Sequence, residues 1–380
     1  MKMEGETTTL RRNLTEWRFS QYPKYILLPI DENNDQVRGN IKNVVFSEIW
    51  RTSVRDVVFL EVSLVRKLAI IYLTVSDEAI VRDMYYNGCP RREKAASLLR
   101  ISPMWFRFGS LEILANNGEI AVLNQLADFI IKVIDLNPRT EEDRSVGFTH
   151  GLLNTDNMSI LGLTLDYGPF GFVDSYDGGF VANCSDGEGR YALSKQPDVV
   201  VWNIGQLANA LKPLLTTPQQ VHMSHILKTL DTYCKNKILE TFLMKIGLKE
   251  ERWGDEQLVE KLLDMMQQTG ADFTCTFRQL AERLSSHSSW GCWLDQYRER
   301  LDKEADERRR RMLCVNPVYV PRNWMLHEAI ADAENDDFTK VRFLMEVLRN
   351  PYQVQSEAER LGFSSQPPQW AYALKISCST

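Results

Sequence analysis

No stretch of this chain approaches the roughly 18–20 consecutive apolar residues of a membrane-spanning helix. Its most apolar windows, such as LADFIIKVIDL, are short and amphipathic. A secretory start is missing as well. The opening MKMEGETTTLRRNLTEWRF has no apolar core, and Glu4, Glu6 and Glu16 make it a poor transit peptide. On this ground the chain as it stands is expected in the cytosol. The seven cysteines (Cys89, Cys184, Cys234, Cys275, Cys292, Cys314 and Cys378) contain no C-x-x-C pair. An odd, scattered set of that kind points to reduced thiols, and away from a disulfide framework or a zinc site. There is no excess of positive charge: the formal net charge of −6 gives no reason to expect a nucleic-acid partner. No internal repeat is visible.

What is present fits an ordinary globular protein. With 380 residues, 25% charged and 44% hydrophobic, the chain can bury a sizeable core in one large domain or two smaller ones. Residues 1–50 are poorly patterned. Helical spacing of Val54, Val57, Val58, Leu64, Val65 and Leu68 predicts a helix over 53–68, followed by a β-rich run at 69–77 and a second strand candidate at 97–105. Ile120, Leu123, Leu126, Ile130, Val133 and Ile134 form an apolar stripe that predicts a helix over 118–136, ended by Asn137-Pro138. The segment 147–173 mixes Gly, Asn and Asp with short apolar pieces and reads as loop, short strand, loop. Beyond 199 the pattern is mostly helical, with helices expected near 199–215, 219–247, 255–268, 276–285, 292–312, 323–333 and 338–349. A Pro-rich, extended tail closes the chain.

Within HGLLNTDNMSILGLTLDYGPFGF, Asp156 and Asn157 are adjacent, and Asp166 follows ten residues later in Asp-Tyr-Gly. Oxygen donors of this kind suit a hard cation, since magnesium commonly takes one or two carboxylates and completes its shell with substrate phosphates. Asp156 could accept the proton of an attacking hydroxyl, and Gly168 would let the backbone turn sharply behind Asp166. An Asx-rich turn with no chemistry is the plainer explanation of any one of these residues. Their combination favours a site.

A catalytic Asp, a metal-binding Asn and then Asp-x-Gly resemble a protein-kinase active site. In kinases the Asp and Asn are spaced apart, whereas here they touch in sequence. With that departure, NTDNMSILGLTLDYGPFGFVDSYD closely resembles the selenoprotein O family of kinase-like protein adenylyltransferases. So do GRYALSKQPDVVVWNIGQLANAL (189–211), GADFTCTFRQL (270–280), NPVYVPRN (316–323) and VLRNPY (347–352). Upstream, RTSVRD (51–56), RDMYYNG (82–88) and LLRISPMWFRFGSLE (98–112) extend the resemblance to about residues 50–380.

The resemblance implies an α+β, protein-kinase-like fold with a reduced N-terminal lobe, a helical catalytic lobe and a helical C-terminal extension. The corresponding division is a divergent segment at 1–50, the nucleotide-lobe remnant at 51–115, the catalytic lobe at 116–290 and the extension with its tail at 291–380. It implies transfer of AMP from ATP to Ser, Thr or Tyr hydroxyls of proteins with release of pyrophosphate, without nucleic-acid or membrane partners. Asp156 matches the catalytic base. Asn157 and Asp166 match the ligands of Mg2+, or of Mn2+ in its place, and Asp166 also counts with the nucleotide-binding set. Arg100 and Arg107 match phosphate contacts, for which guanidinium forks are well shaped. Glu61 matches a helix glutamate that pairs with a nucleotide-site lysine. The region that should carry this lysine is compressed, and Lys42 lies in a context that does not match, so it is not assigned. That gap, with the missing Gly-rich segment, motivates the alternative reading: a catalytically impaired, pseudokinase-like protein that binds nucleotide or protein. Eukaryotic members of the family imply a mitochondrial location.

Three further features carry less. His222 and His225 have the spacing of two zinc ligands but no third partner nearby in sequence. Arg308–Arg311 follow the acidic DKEADE and read as a solvated, ion-paired helix face. Cys378 matches the position where some family members carry selenocysteine, which implies an exposed, redox-capable thiol.

Overall fold

The computed structural model describes residues 69–82, 90–101, 104–134, 146–282, 290–301 and 305–374. The helix expected over 53–68, and with it Glu61, Lys42 and Cys378, lies outside the described residues.

Strands β1 (Ala69–Arg82) and β2 (Arg91–Ile101) form an antiparallel hairpin, in register from Ala69 opposite Ile101 to Arg82 opposite Arg91. Register shifts between Ile70 and Tyr72 and between Val75 and Ala79 mark bulges, which bend and twist such a ribbon. The hairpin corrects both strand expectations. β1 runs past Asp77, and β2 occupies 91–101 rather than 97–105, so the segment towards Trp105 has already left the strand.

Two helices follow. α1 (Phe108–Asn116) was not expected from the sequence, because Gly109 and Ser110 near its start obscure the pattern. α2 (Ile120–Ile134) falls within the predicted stripe. Leu111, Leu123 and Ile130 bury against Met104 and Ala210. The Gly/Asn/Asp-rich segment is loop and short strand, as its composition suggests: β3 (Phe148–Thr149) pairs antiparallel with β4 (Gly171–Phe172).

The remaining chain is helical. α3 (Gln196–Leu211) begins with Pro197 in its first turn, where a missing N–H costs nothing. α4 (Thr217–Lys245) opens at Thr216, whose backbone N–H donates to Gln219 Oε1 at 2.8 Å. α5 (Asp255–Thr269) carries Asp255 and Glu256 in its first turn, favourable to the helix dipole. α6 (Phe273–Glu282), α7 (Gly291–Arg300) and α8 (Ala305–Val315) complete the central cluster. The single helix expected over 292–312 is therefore two, because the backbone turns extended at Leu301. α9 (Asn323–Glu334) and α10 (Thr339–Arg349) match expectation. The tail is less extended than its prolines suggest, since it contains the short α11 (Ser356–Arg360) and a 3-10 turn at Gln369–Ala373. Mostly helical with small antiparallel hairpins, the architecture is α+β.

The largest core is aromatic. Phe273 and Phe277 meet edge-to-face at 5.1 Å beside Phe242, and Trp293 stacks on Tyr297 at 4.9 Å. The Tyr297 hydroxyl donates to Ile246 O at 2.5 Å, which satisfies one carbonyl at the end of α4. Lys245 is buried in the same cluster, 2% exposed, with Nζ 4.2 Å from the Phe277 ring centre and 5.2 Å from that of Phe273. Burial pushes its ammonium down to about 7. Arg308 is also buried, so the arginine run is not the uniformly solvated face expected. Arg310 and Arg311 do pair with Glu307, and Arg311 Nη2 reaches Gly247 O at 3.0 Å.

Arg322 joins distant parts of the chain. Only 1% exposed, it places Nη1 2.5 Å from Asp174 Oδ1 and 2.8 Å from Asp272 Oδ2, and Nη2 3.0 Å from Asp272 Oδ1. Burial opposes its charge, but Asp272 and then Asp174 outweigh burial and hold the guanidinium protonated. Asp272 also accepts from Cys275 N–H at 2.8 Å, which caps the start of α6. Burial and Asp272 push the Cys275 thiol up to about 12, so it is inert.

Two predictions follow from these buried charges. Arg322→Met leaves two acids without their counter-charge and should cost about 3–5 kcal/mol of stability, measured by urea unfolding. A cost below 1 kcal/mol would show that the triad does not hold the fold. For Lys245 the folded pKa lies below the unfolded value of about 10.4, so the unfolded chain binds the extra proton between the two. Stability from this group is therefore lowest below about pH 7 and rises by up to about 1.4 kcal/mol per pH unit towards pH 10. Lys245→Met should flatten that rise in urea titrations at pH 6, 8 and 9.5.

Candidate active site

The antiparallel pairing of β3 and β4 closes residues 150–170 into a double loop. At its base Gly151 has φ +81°, and a Cβ there would lie 2.2 Å from Pro169 O, so the two arms touch only because this residue is glycine. The first arm is held by amides. Gln196, at the start of α3, accepts from His150 N–H at 2.9 Å and donates to Phe148 O at 2.7 Å. Asn203 of α3 donates to Leu153 O at 2.9 Å. Asn154 Oδ1 accepts from the N–H groups of both Asp156 (3.0 Å) and Asn157 (2.9 Å), capping the 3-10 turn Thr155–Asn157. Fixed in this way, Asp156 faces solvent while Asn157 is buried.

The second arm returns beside the first. Met158 bridges Thr164, and Leu165 N–H donates to Asn157 O at 3.0 Å, which sets Asp166 next to the Asn157 backbone. Asp166 has φ +55°, a left-handed conformation rare outside glycine. Asn157 Nδ2 donates to Leu152 O at 2.8 Å, which commits the NH2 side of its amide and leaves Oδ1 as its acceptor face. One carboxylate and one carboxamide oxygen make an all-oxygen donor set. That set fits a magnesium ion relying mainly on phosphates and water, and it would not suit zinc.

The strand-like residues before α1 pair with this loop: Phe108 N–H donates to Met158 O and Ile160 N–H to Phe106 O, both at 2.9 Å. The pairing brings Arg107, predicted as a phosphate contact, against Asp156, predicted as the base. Nη1 lies 2.6 Å from Oδ2, with the side chains 40% and 61% exposed. Gly109 permits the approach, since a Cβ there would sit 3.1 Å from Asp156 Oδ1.

Of the residues singled out from sequence, Asp156 and Arg107 thus meet, and Asn157 and Asp166 lie side by side. Arg100 is in β2 opposite Ile70. His222 and His225 are both exposed on α4, and among the described residues no group of three or more His, Cys, Asp or Glu side chains could hold a metal. Cys184, Cys292 and Cys314 are exposed and form no disulfide among the described residues. No described helix is long and apolar enough to cross a membrane. His150, Asn154, Gln196, Asn203 and Gly109 shape the site and were not anticipated. The Asn-x-Asp-Asn spacing, an N-cap signature, could have revealed Asn154. The others act across tertiary contacts and leave no local signal.

The family described as Protein adenylyltransferase SelO matches residues 140–349. Protein nucleotidyltransferase YdiU of Thioalkalivibrio sulfidiphilus is 37% identical over 334 residues, covering 76% of this chain and 66% of its own. The proteins of the same name from Xanthomonas axonopodis pv. citri (37% over 358 residues) and Azoarcus sp. (36% over 360) each cover 81% of this chain and 68% of their own. The chain spans about two thirds of the length of these relatives. With more than half of its residues matched to the family and relatives above one-third identity, the chain belongs to the SelO family of protein adenylyltransferases.

Proposed function

We propose that the chain transfers AMP from ATP to Ser, Thr or Tyr hydroxyls of protein substrates, in a kinase-like cleft with the division given above. The observation that carries this reading is the meeting of Arg107 and Asp156 at 2.6 Å beside the Asn157–Asp166 pair. Asp156 takes the proton of the acceptor hydroxyl. The hydroxyl oxygen bonds to the α-phosphorus, the bond from that phosphorus to the bridging oxygen breaks, and pyrophosphate leaves. A guanidinium has five N–H donors, so one on Asp156 leaves others for phosphate oxygens, and Arg107 would align base and nucleotide together. Arg100 adds a second phosphate contact, and Glu61 is assigned the lysine-pairing role. Asn157 and Asp166 would hold Mg2+, or Mn2+, which when bound offsets phosphate charge as a Lewis acid. By family resemblance the compartment proposed is the mitochondrion, with the cytosol the expectation for the chain as it stands.

ATP labelled on the α-phosphate, with magnesium, should label the chain itself or a bulk protein acceptor. Label from the γ-phosphate instead would mean a kinase. Nucleotide binding with neither label is the outcome expected of the binding-only alternative. Asp166→Ala should abolish magnesium-dependent turnover with an unchanged circular dichroism spectrum, and full retained activity would refute the ligand assignment.

Charge-assisted phosphate contacts are worth roughly 1.5–3 kcal/mol each, so Arg107→Ala should weaken ATP about ten- to a hundredfold. Arg107→Lys should recover part of this, because it keeps the charge and loses the fork. Adenosine, without phosphate, should bind both variants as it binds the wild type. Equal losses for ATP and adenosine in calorimetric titrations would mean that Arg107 touches no phosphate.

A further inference from the structure

Resting on the metal reading above, we propose that His150 is a positioning residue that holds Asp166 in its left-handed conformation, acting through the Leu165 carbonyl. Asp166 and Asp336 are the positive-φ residues other than glycine among those described. Such a conformation is strained for an L-residue and persists only where its surroundings over-determine it. Three hydrogen bonds do so here. Leu165 N–H donates to Asn157 O at 3.0 Å, and Gly168 N–H donates to Asp166 O at 2.8 Å. The third comes from a side chain: His150 Nε2 lies 2.9 Å from Leu165 O.

The direction of that third bond follows from chemistry. A carbonyl oxygen only accepts, so Nε2 carries the proton, and Nδ1 is left to accept from Leu152 N–H at 3.4 Å. The Leu165 C=O and the Asp166 N–H share one rigid peptide plane. Fixing the carbonyl therefore fixes the orientation of the plane about which φ of Asp166 is measured, and with it the direction of the carboxylate.

His150 is built to be a fixed stop. Its ring is 2% exposed and packs against Tyr167 at 5.2 Å between centroids, and the hydroxyls of Tyr167 and Thr164 share a hydrogen bond of 2.6 Å. Its backbone N–H is held by Gln196. The imidazole thus spans the two arms of the loop, with Asn157 on one and Asp166 on the other. Nothing in the proposed proton or phosphate chemistry requires His150 itself.

Three substitutions separate this role from mere packing. His150→Gln can place an amide N–H where Nε2 stands, His150→Asn reaches only as far as Nδ1, and His150→Phe keeps the ring and loses both bonds. Mn2+ affinity is read by electron paramagnetic resonance in the presence of a non-hydrolysable ATP analogue, with adenosine affinity and circular dichroism alongside. We expect His150→Gln to stay within about threefold of wild type. Asn and Phe should lose about tenfold or more in Mn2+ affinity, about 1.4 kcal/mol, with adenosine affinity unchanged. Asn and Phe variants that bind Mn2+ like wild type, or losses of Mn2+ and adenosine in step, would overturn the positioning role while leaving the metal assignment intact. A wild-type protein that binds no Mn2+ with the nucleotide would instead overturn the metal assignment, and this inference with it.

Discussion

The arrangement of the site depends on one buried guanidinium. Arg322 reaches Asp174, two residues beyond β4, and Asp272 at the start of α6, so a residue of the C-terminal region clamps the returning arm of the loop to the helical core. Backbone bonds reinforce the same junction: Phe273 N–H donates to Asp174 O at 2.8 Å and Tyr176 N–H to Ala271 O at 2.9 Å. The next residue, Asn323, lies against Gly171, where a Cβ would meet its amide nitrogen at 3.0 Å. Hydrophobic replacements of similar volume can equal such an ionic cluster in stability, but they carry no direction. Here direction is what matters, because β4 sets where β3 and the double loop begin.

From that anchor the geometry passes inward through progressively shorter-range interactions. β3 and β4 bring the two arms together, Gly151 lets them touch, and amides from α3 fix the first arm. What remains free to face solvent at the end of this chain of constraints is a carboxylate, Asp156, with an arginine on it. Of the polar groups that build the loop, His150 and Asn203 are buried and Asn154 and Gln196 half-buried, and each donates to or accepts from the loop backbone. Of the groups assigned to chemistry, Asp156 and Asp166 are exposed and Asn157 is buried. Rigid support beneath exposed function is the arrangement expected of a site that must hold geometry while remaining open to substrate.

Much of the helical part was legible because burial writes a periodic pattern. Ile120 to Ile134 show it plainly, and the start of the helix was found to within two residues. Asp156, Asn157 and Asp166 were singled out for a different reason, their combination in one short segment, and the structure sets Asp166 next to the Asn157 backbone. The failures have physical causes. α1 is stabilised by its packing on α3 rather than by its own propensity, and two glycine-like starts hide it. The division of 292–312 into two helices turns on the backbone at Leu301, a residue with no breaking signature. His150, Gln196 and Asn203 shape the site from up to 50 residues away in sequence, a distance across which no local pattern can speak.

The separation of Asp174 from Arg322, 148 residues, has a consequence for the order of events during synthesis. At roughly 5–20 residues per second, the acid leaves the ribosome some tens of seconds at most before its partner exists. Asp272 follows later, 50 residues ahead of Arg322, so for the last part of that interval both acids are present without this counter-charge. Closure of so large a loop also pays its entropy before the contact rewards it. Asp174 therefore gains its counter-charge only once the chain as far as Arg322 has been made.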